Sequence, residues 1–441
     1  MARKMRDSGV EWIGEVPEGW EFFRAKRLFR KEQRPIRPED EIVTAFRDGE
    51  VTLRKNRRLT GFTEATDYSH YQGIRKGDLV IHQMDAFAGC VGISDSDGMG
   101  SPILSVCTAK TDRVCIRYYS AIIRMMGLTG YISSLARGVR ERSADFRFET
   151  FAKEYLPVPP LPEQRRIADY LDEKCAAIDG AVEELKCGIE DCKAWKKAII
   201  FEAVTGKANV LAASACAIRR RNCYGGQVAT ADKKNAKVAK RQMRDSGIPW
   251  IGEIPEGWAV SRVKNECINL DSLREPISAE NRENKQGLYD YYGASGIIDK
   301  IDDYNVDDTV LLIGEDGANL RMRNLPLVYK ATGKFWVNNH AHILKPKEGR
   351  DYDFMAYALE AGDYNDFITG SAQPKLSQAN LMAYPIVLPP ISEQLVIADY
   401  LDEKCAAIDA QVAEKEKLIA DLEAYKKSLI FELVTGKREV A

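Results

Sequence analysis

The sequence predicts an α+β fold: two mixed α/β domains joined by two long helices that form an antiparallel coiled coil, the halves related by a pseudo-twofold axis. Three observations predict it. The chain contains an internal repeat, the repeat carries a helical apolar series, and the stretches between the repeated parts are unlike each other and rich in β-forming runs. A length of 441 residues suits two to four domains, and 45% apolar with 29% charged residues is ordinary for a soluble globular chain.

The repeat comes first. Residues 5–20, MRDSGVEWIGEVPEGW, recur at 243–258 as MRDSGIPWIGEIPEGW, with 13 of 16 positions identical. Residues 162–207 recur at 392–437 with 29 of 46 identical, and IADYLDEKCAAID is the same in both copies. A period of about 235 residues is far too long for a solenoid and marks a duplicated domain. The segments 21–156 and 259–386 share little. A common frame implies a common constraint, and divergent middles are free to bind different things.

The second part of the frame reads as a helix. Apolar residues fall at Ile167, Leu171, Cys175, Ile178, Val182, Leu185, Ile189 and Cys192, in steps of mostly three and four. The second copy gives Ile397, Leu401, Cys405, Ile408, Val412, Ile419 and Leu422, with Lys415 interrupting. Pro162 suits a first turn, Ser392 suits an N-cap, and Gly206 and Gly436 are stop signals. About 42 residues at 1.5 Å each make a rod of roughly 60 Å. A seam this narrow cannot be hidden by one rod, so the two are expected to pack on each other, with the cysteines as seam residues. Pseudo-twofold pairing makes them antiparallel and places the two middles at opposite ends.

The middles read as mixed α/β domains. GDLVIHQ (77–83) and AGCVGIS (88–94) form a hairpin-like pair, and 307–318 and 333–346 read as strands; 116–136 and 354–368 read as helices. The domain reading is 1–160, first globular domain; 161–207, first helix; 208–242, a basic low-complexity linker; 243–390, second globular domain; 391–441, second helix. Net charge by region, in that order, is +4, −2, +7, −7 and −4, which sums to −2. The basic character expected of a nucleic-acid binder is therefore strongest in the first half and the linker.

Much chemistry is excluded. No apolar run approaches a membrane span of about 18 residues, and the start is not a secretory signal. Ten cysteines without a C-x-x-C pair, and four distant histidines, argue for a reduced, cytoplasmic chain without metal. No P-loop, dinucleotide fingerprint or nucleophile elbow occurs. His340 and His342 in NNHAH read as hydrogen-bonding or core residues rather than a metal pair. No catalytic constellation is present.

Binding chemistry remains. Lys55, Arg57 and Arg58 cluster in TLRKNRRLTG, and Arg140 and Arg142 precede the first helix. The second middle offers Arg321, Arg323 and Lys375, with Asn338, His340 and Gln373 as hydrogen-bonding companions. Arginine suits bidentate guanine readout and phosphate clamping, and Asn or Gln can read adenine. Solvated charge runs are the alternative for each patch.

These residues resemble a known family. The opening DSG-x-x-W-I-G-E-x-P-E-G-W, the P-P-x-x-E-Q-x-x-I-A-D-Y-L-D helix start (159–172 and 389–402) and the F-E-x-V-T-G-K helix end (201–207 and 431–437) resemble the specificity subunits of Type I DNA restriction–modification systems. YYGASGIIDKIDDY, LLIGEDGA, FWVNNHAHIL and SAQPKLSQANL are similar to that family's target-recognition domains. The resemblance covers the chain outside 208–241. It implies two target-recognition domains, each reading half of a bipartite double-stranded DNA sequence, with the helices setting the gap. It further implies assembly with two methyltransferase subunits and with restriction (motor–nuclease) subunits. Those partners would carry S-adenosylmethionine, ATP and magnesium; this chain would carry none and be non-catalytic. A coiled-coil protein scaffold and a fused nuclease are the rival readings.

Overall fold

The computed structural model describes residues 3–57, 67–135, 145–211, 241–370 and 373–440. Arg58, Arg140, Arg142 and most of the expected linker lie outside the described residues. The chain divides into two compact units, one made of Met1–Lys186 with Glu416–Ala441 and the other of Cys187–Lys415.

In the first unit a four-stranded antiparallel sheet runs in the order Phe29–Glu32, Leu104–Ala109, Leu79–His82, Val91–Ile93. The last two are the hairpin read from the sequence. Helix Ile116–Leu128 buries Tyr118, Tyr119, Ile122, Ile123, Met125 and Met126 against Phe29, Leu79, Ile81 and Val91. The single helix expected over 116–136 is two, because Gly130 at φ +84° breaks it before Tyr131–Leu135.

The second unit holds a six-stranded sheet in the order Cys267–Asn269, Ala341–Pro346, Val306–Gly314, Val328–Val337, Gln286–Gly293, Gly296–Ile301. Only the pairing of Gln286–Gly293 with Val328–Val337 is parallel. The stretch 333–346 is the end of one strand and the whole of the next, not one run. The helix expected over 354–368 is shorter, Tyr352–Glu360, capped by the Asp351 carboxylate accepting from Phe354 N at 2.7 Å and followed by a 3-10 turn.

The repeated opening folds identically in both units. Met5–Asp7 pairs with Glu15–Pro17, and Met243–Asp245 with Glu253–Pro255. Within each D-S-G, the Asp side chain accepts from the glycine N–H and the Ser hydroxyl accepts from the residue after it, at 2.9–3.1 Å. These local turns explain why short polar residues recur there.

The long helices run from Leu161 to Val204 and from Ile391 to Val434, 44 residues each. Each is led by the carbonyl of Pro160 or Pro390, so Ser392, read from the sequence as an N-cap, is inside the helix and is not its cap. In the first unit, Ile167, Leu171, Ile178 and Val182 share a core with Leu429, Leu433 and Val434, and Ile419 and Leu422 are packed at its edge. Asp179 there accepts from Lys426 at 2.6 Å, while Arg3 reaches both Glu163 and Glu439, so the two helical segments run antiparallel. In the second unit Ile397 and Leu401 join Ile200, Ala203 and Val204, and Ile189 and Ile408 are buried. Lys196 meets Asp409 at 2.7 Å and Gly188 faces Lys415, again antiparallel. Leu185 and Val412 are half-buried. Among the helix cysteines Cys405 is buried and Cys175 and Cys192 half-buried, but Cys187 is exposed and is not a seam residue.

Each helix ends against the other copy's opening motif. Gly206, at φ +73°, lies under Pro255 and Trp258 in the second unit; Gly436, at φ +72°, lies under Pro17 and Trp20 in the first. A side chain at either position would sit 2.4–2.5 Å from the proline ring. The V-T-G-K ending and the P-E-G-W opening are thus complementary surfaces used twice, which is the shared constraint the repeat implies.

Candidate nucleic-acid interface

The E-Q pair at the start of each helix anchors one of the dissimilar middles to the repeated frame. Glu163 accepts from Trp20 Nε1 at 3.3 Å and pairs with Arg3 at 2.5 Å; Glu393 accepts from Trp258 Nε1 at 3.2 Å and pairs with Arg241. Gln164 donates to Pro159 O at 2.8 Å and accepts from Cys115 N at 2.9 Å, the residue preceding helix Ile116–Leu128. Gln394 donates to Pro389 O at 2.9 Å and accepts from Asp351 N at 3.0 Å, the residue preceding helix Tyr352–Glu360. One side chain therefore fixes the leading end of an unrelated helix in each middle.

In the first unit the candidate cations lie on the hairpin Val43–Ala45/Val51–Leu53 and the 3-10 turn after it. Lys55 pairs with Glu41 at 2.5 Å. Arg57 stacks over Phe46 and pairs with Asp48 at 2.5 Å and Glu50 at 2.7 Å. These acids are exposed, so both cations remain at the surface in pairs that DNA phosphates could displace.

In the second unit the candidates divide into two groups. Arg321 is exposed on the short helix Asn319–Met322, beside a cleft of about 980 Å³ shared with Lys193, Lys197 and Asn324. Arg323 is occupied differently: at φ +52° it donates to the backbone carbonyl of Glu360 and covers Tyr364. Glu360 also accepts from Leu327 N and Val328 N, at 2.8 and 2.9 Å, and burial pushes its carboxyl pKa up despite the arginine.

The structure brings Asn338, His340 and Lys375 together around Glu315 and Asp316 of the GEDGA loop. Asn338 is buried and accepts from His340 N at 2.8 Å. His340 Nδ1 lies 2.8 Å from Asp316 Oδ2 with the ring half exposed. Lys375 reaches Glu315 at 2.8 Å, and Glu315 also accepts from Arg274. Burial opposes charge on Glu315, but the hydrogen bonds from Lys375 and Arg274 overcome it and hold the pKa below the usual range; the same pair raises that of Lys375. Gln373 is exposed beside this group, two residues before Lys375. The sequence reading missed Asp271, Arg274, Glu315 and Asp316; the acidic pair inside GEDGA was the available signal.

Comparison with known proteins shows what the chain is similar to. A family model for the Type I restriction modification DNA specificity domain matches residues 255–422. That match covers less than half of the chain. The matched span includes Arg321, Arg323, Asn338, His340, Gln373 and Lys375. The chain is 32% identical over 171 residues to a Haemophilus influenzae chain designated a type I restriction enzyme specificity subunit, an alignment covering 38% of this chain and 40% of that one. The chain spans about two fifths of that relative's length. A solved chain from work on complex assembly and conformational transition of the type I R-M system matches with TM-score 0.65 and 14% identity, covering 96% and 99% of the two chains. The HsdS subunit from Thermoanaerobacter tengcongensis matches with TM-score 0.50 and 15% identity, covering 98% and 100%. These likenesses establish the two-domain, two-helix fold. Among the described residues no helix is long and apolar enough to cross a membrane, and no cluster of three His, Cys, Asp or Glu is placed to hold a metal ion.

Proposed function

We propose that this chain is the DNA-recognition subunit of a type I restriction–modification complex. Each mixed domain reads one half of a bipartite double-stranded target, and the paired helices set the gap between halves. The observation that carries this reading is the use of one frame twice, with the same E-Q anchors and helix endings, to hold two dissimilar sheets bearing surface cations and amides. The chain acts in the cytoplasm without catalytic residues or cofactor of its own. Two methyltransferase subunits and the restriction subunits supply the chemistry, with S-adenosylmethionine, ATP and magnesium. On this reading Lys55, Arg57, Arg58, Arg140 and Arg142 contact DNA from the first domain. Arg321, Asn338, His340, Gln373 and Lys375 do so from the second, where Arg323 acts through the loop it holds.

Methylome sequencing of cells carrying the intact complex tests the proposal. The expected result is a two-part motif, of which replacing residues 259–386 by another family member's middle changes one part only. A change in both parts, or in neither, overturns it. Inserting equal numbers of residues into both helices should lengthen the gap and leave the two half-sites unchanged.

A further inference from the structure

His342 is fully buried in the strand Ala341–Pro346, on the face shared with Leu344 and the core around Leu311, Ile313 and Leu376. Its Nδ1 lies 2.6 Å from Asp271 Oδ2 and its Nε2 lies 2.8 Å from the backbone carbonyl of Leu376. A carboxylate and a carbonyl oxygen only accept hydrogen bonds, so satisfying both requires a proton on each ring nitrogen. Asp271 is able to supply the countercharge. Burial opposes its ionised form, but His342 and Ile343 N (2.8 Å to Oδ1) hold it ionised, and Arg274 approaches at 3.4 Å. The charged groups around the ring are Asp271 and Arg274 from the 3-10 turn, Glu315 and Asp316 from the loop after Val306–Gly314, and Lys375 from the segment it holds. A charged His342 balances these three carboxylates with three cations.

The Leu376 carbonyl belongs to the segment that carries Gln373 and Lys375. That segment is tied to the loop after Val306–Gly314 by Leu376 N to Glu315 O at 2.7 Å, Gly317 N to Pro374 O at 3.1 Å and the Lys375–Glu315 pair at 2.8 Å, to Ile368–Thr369 by a short strand pairing, and to the strand Ala341–Pro346 by the His342 contact.

We propose that His342 is a positioning residue of the second recognition domain: protonated on both nitrogens, it clamps the Gln373–Leu376 segment to the sheet and sets where Gln373 and Lys375 meet DNA. This rests on the reading of that surface as a DNA interface. Losing the clamp leaves a buried carbonyl and a buried carboxylate short of a donor, so discrimination at the second half-site should fall roughly tenfold.

The test has two arms. Nitrogen-15 spectra of the full chain labelled at histidine should show one ring with both nitrogens protonated, and this signal should vanish in His342→Gln. A neutral His342 with one bare nitrogen overturns the proposal. In the assembled complex, methylation is then measured on DNA varied in one half-site at a time. Discrimination at the second half-site should be about tenfold lower in His342→Gln than in the wild type. Both should discriminate normally at the first half-site, which also reports a folded complex. Lys375→Ala separates the two failures. If it impairs second-half-site discrimination while His342→Gln matches wild type, positioning is wrong and the interface stands. If Lys375→Ala and Gln373→Ala change nothing, the interface reading fails and the proposal fails with it.

Discussion

Substituting Gly436 by alanine probes the contact that the duplicated frame exists to make. The residue sits at φ +72°, where a Cβ costs about 1–2 kcal/mol. That Cβ would also lie 2.5 Å from Pro17 Cδ and 2.9 Å from the Trp20 ring, both held in a packed core. Forcing such an overlap typically adds about 1–3 kcal/mol, so the expected loss is about 2–5 kcal/mol. Urea unfolding followed by tryptophan fluorescence reads it, because Trp20 is the residue displaced. Gly206→Ala should lose a similar amount through Pro255 and Trp258. Gly180→Ala is the control: it lies within the first long helix with open space around its Cβ, and should stabilise by roughly 0.5–1 kcal/mol. If Gly436→Ala unfolds at the wild-type urea concentration, the helix ending is not seated on the opening motif.

Other perturbations have expected outcomes of their own. Glu393→Gln removes the charge that holds Arg241 and weakens the bond from Trp258, and should cost about 1–3 kcal/mol in the same assay. Asp271 and Glu315 both have depressed pKa values, so their contribution is present above the ordinary carboxylate values of 3.8 and 4.5 and is lost as pH falls below them; Glu315→Gln should flatten acid unfolding in that window. Arg321→Ala should weaken DNA binding by about 1–3 kcal/mol and relax one base position if it reads a base, or lower the salt dependence uniformly if it holds a phosphate; no change in either removes it from the interface. Among the described cysteines, Cys187 should react first with a thiol reagent, since it is exposed whereas burial pushes the Cys90 and Cys267 thiols up to about 12. Protection of Cys187 in the isolated chain would contradict its placement.

Much of the fold was readable because it obeys periodic rules. The three-and-four spacing from Ile167 to Ile189 located the first long helix, and turn residues around Leu79–His82 and Val91–Ile93 located a hairpin. The start of the second helix was misread at Ser392 because a good capping residue was available, while the prolines at 160 and 390 already provide the first carbonyls. Helix 354–368 was overestimated because its apolar spacing continues past Glu360, where the chain turns through Gly362. Candidate cations were visible as composition, but what each one touches was not. Arg323 and Lys375 look alike in sequence, yet the first covers Tyr364 beneath a loop and the second projects from Glu315. Such differences depend on residues tens of positions away, such as Glu360 and Arg274, which no local pattern connects.

The shared helices also bear on how the molecule is made. The Val434 carbonyl that satisfies the buried Tyr118 hydroxyl lies 316 residues further along the chain. The unit containing residues 3–186 therefore waits until residues 416–440 have been made, whereas the span Cys187–Lys415 holds a whole unit in one stretch. Contacts this distant in sequence form slowly, and a nascent first sheet must keep its apolar floor covered in the meantime. Translation order thus favours completion of the Cys187–Lys415 unit first, with emergence of residues 416–434 as the event that closes the other.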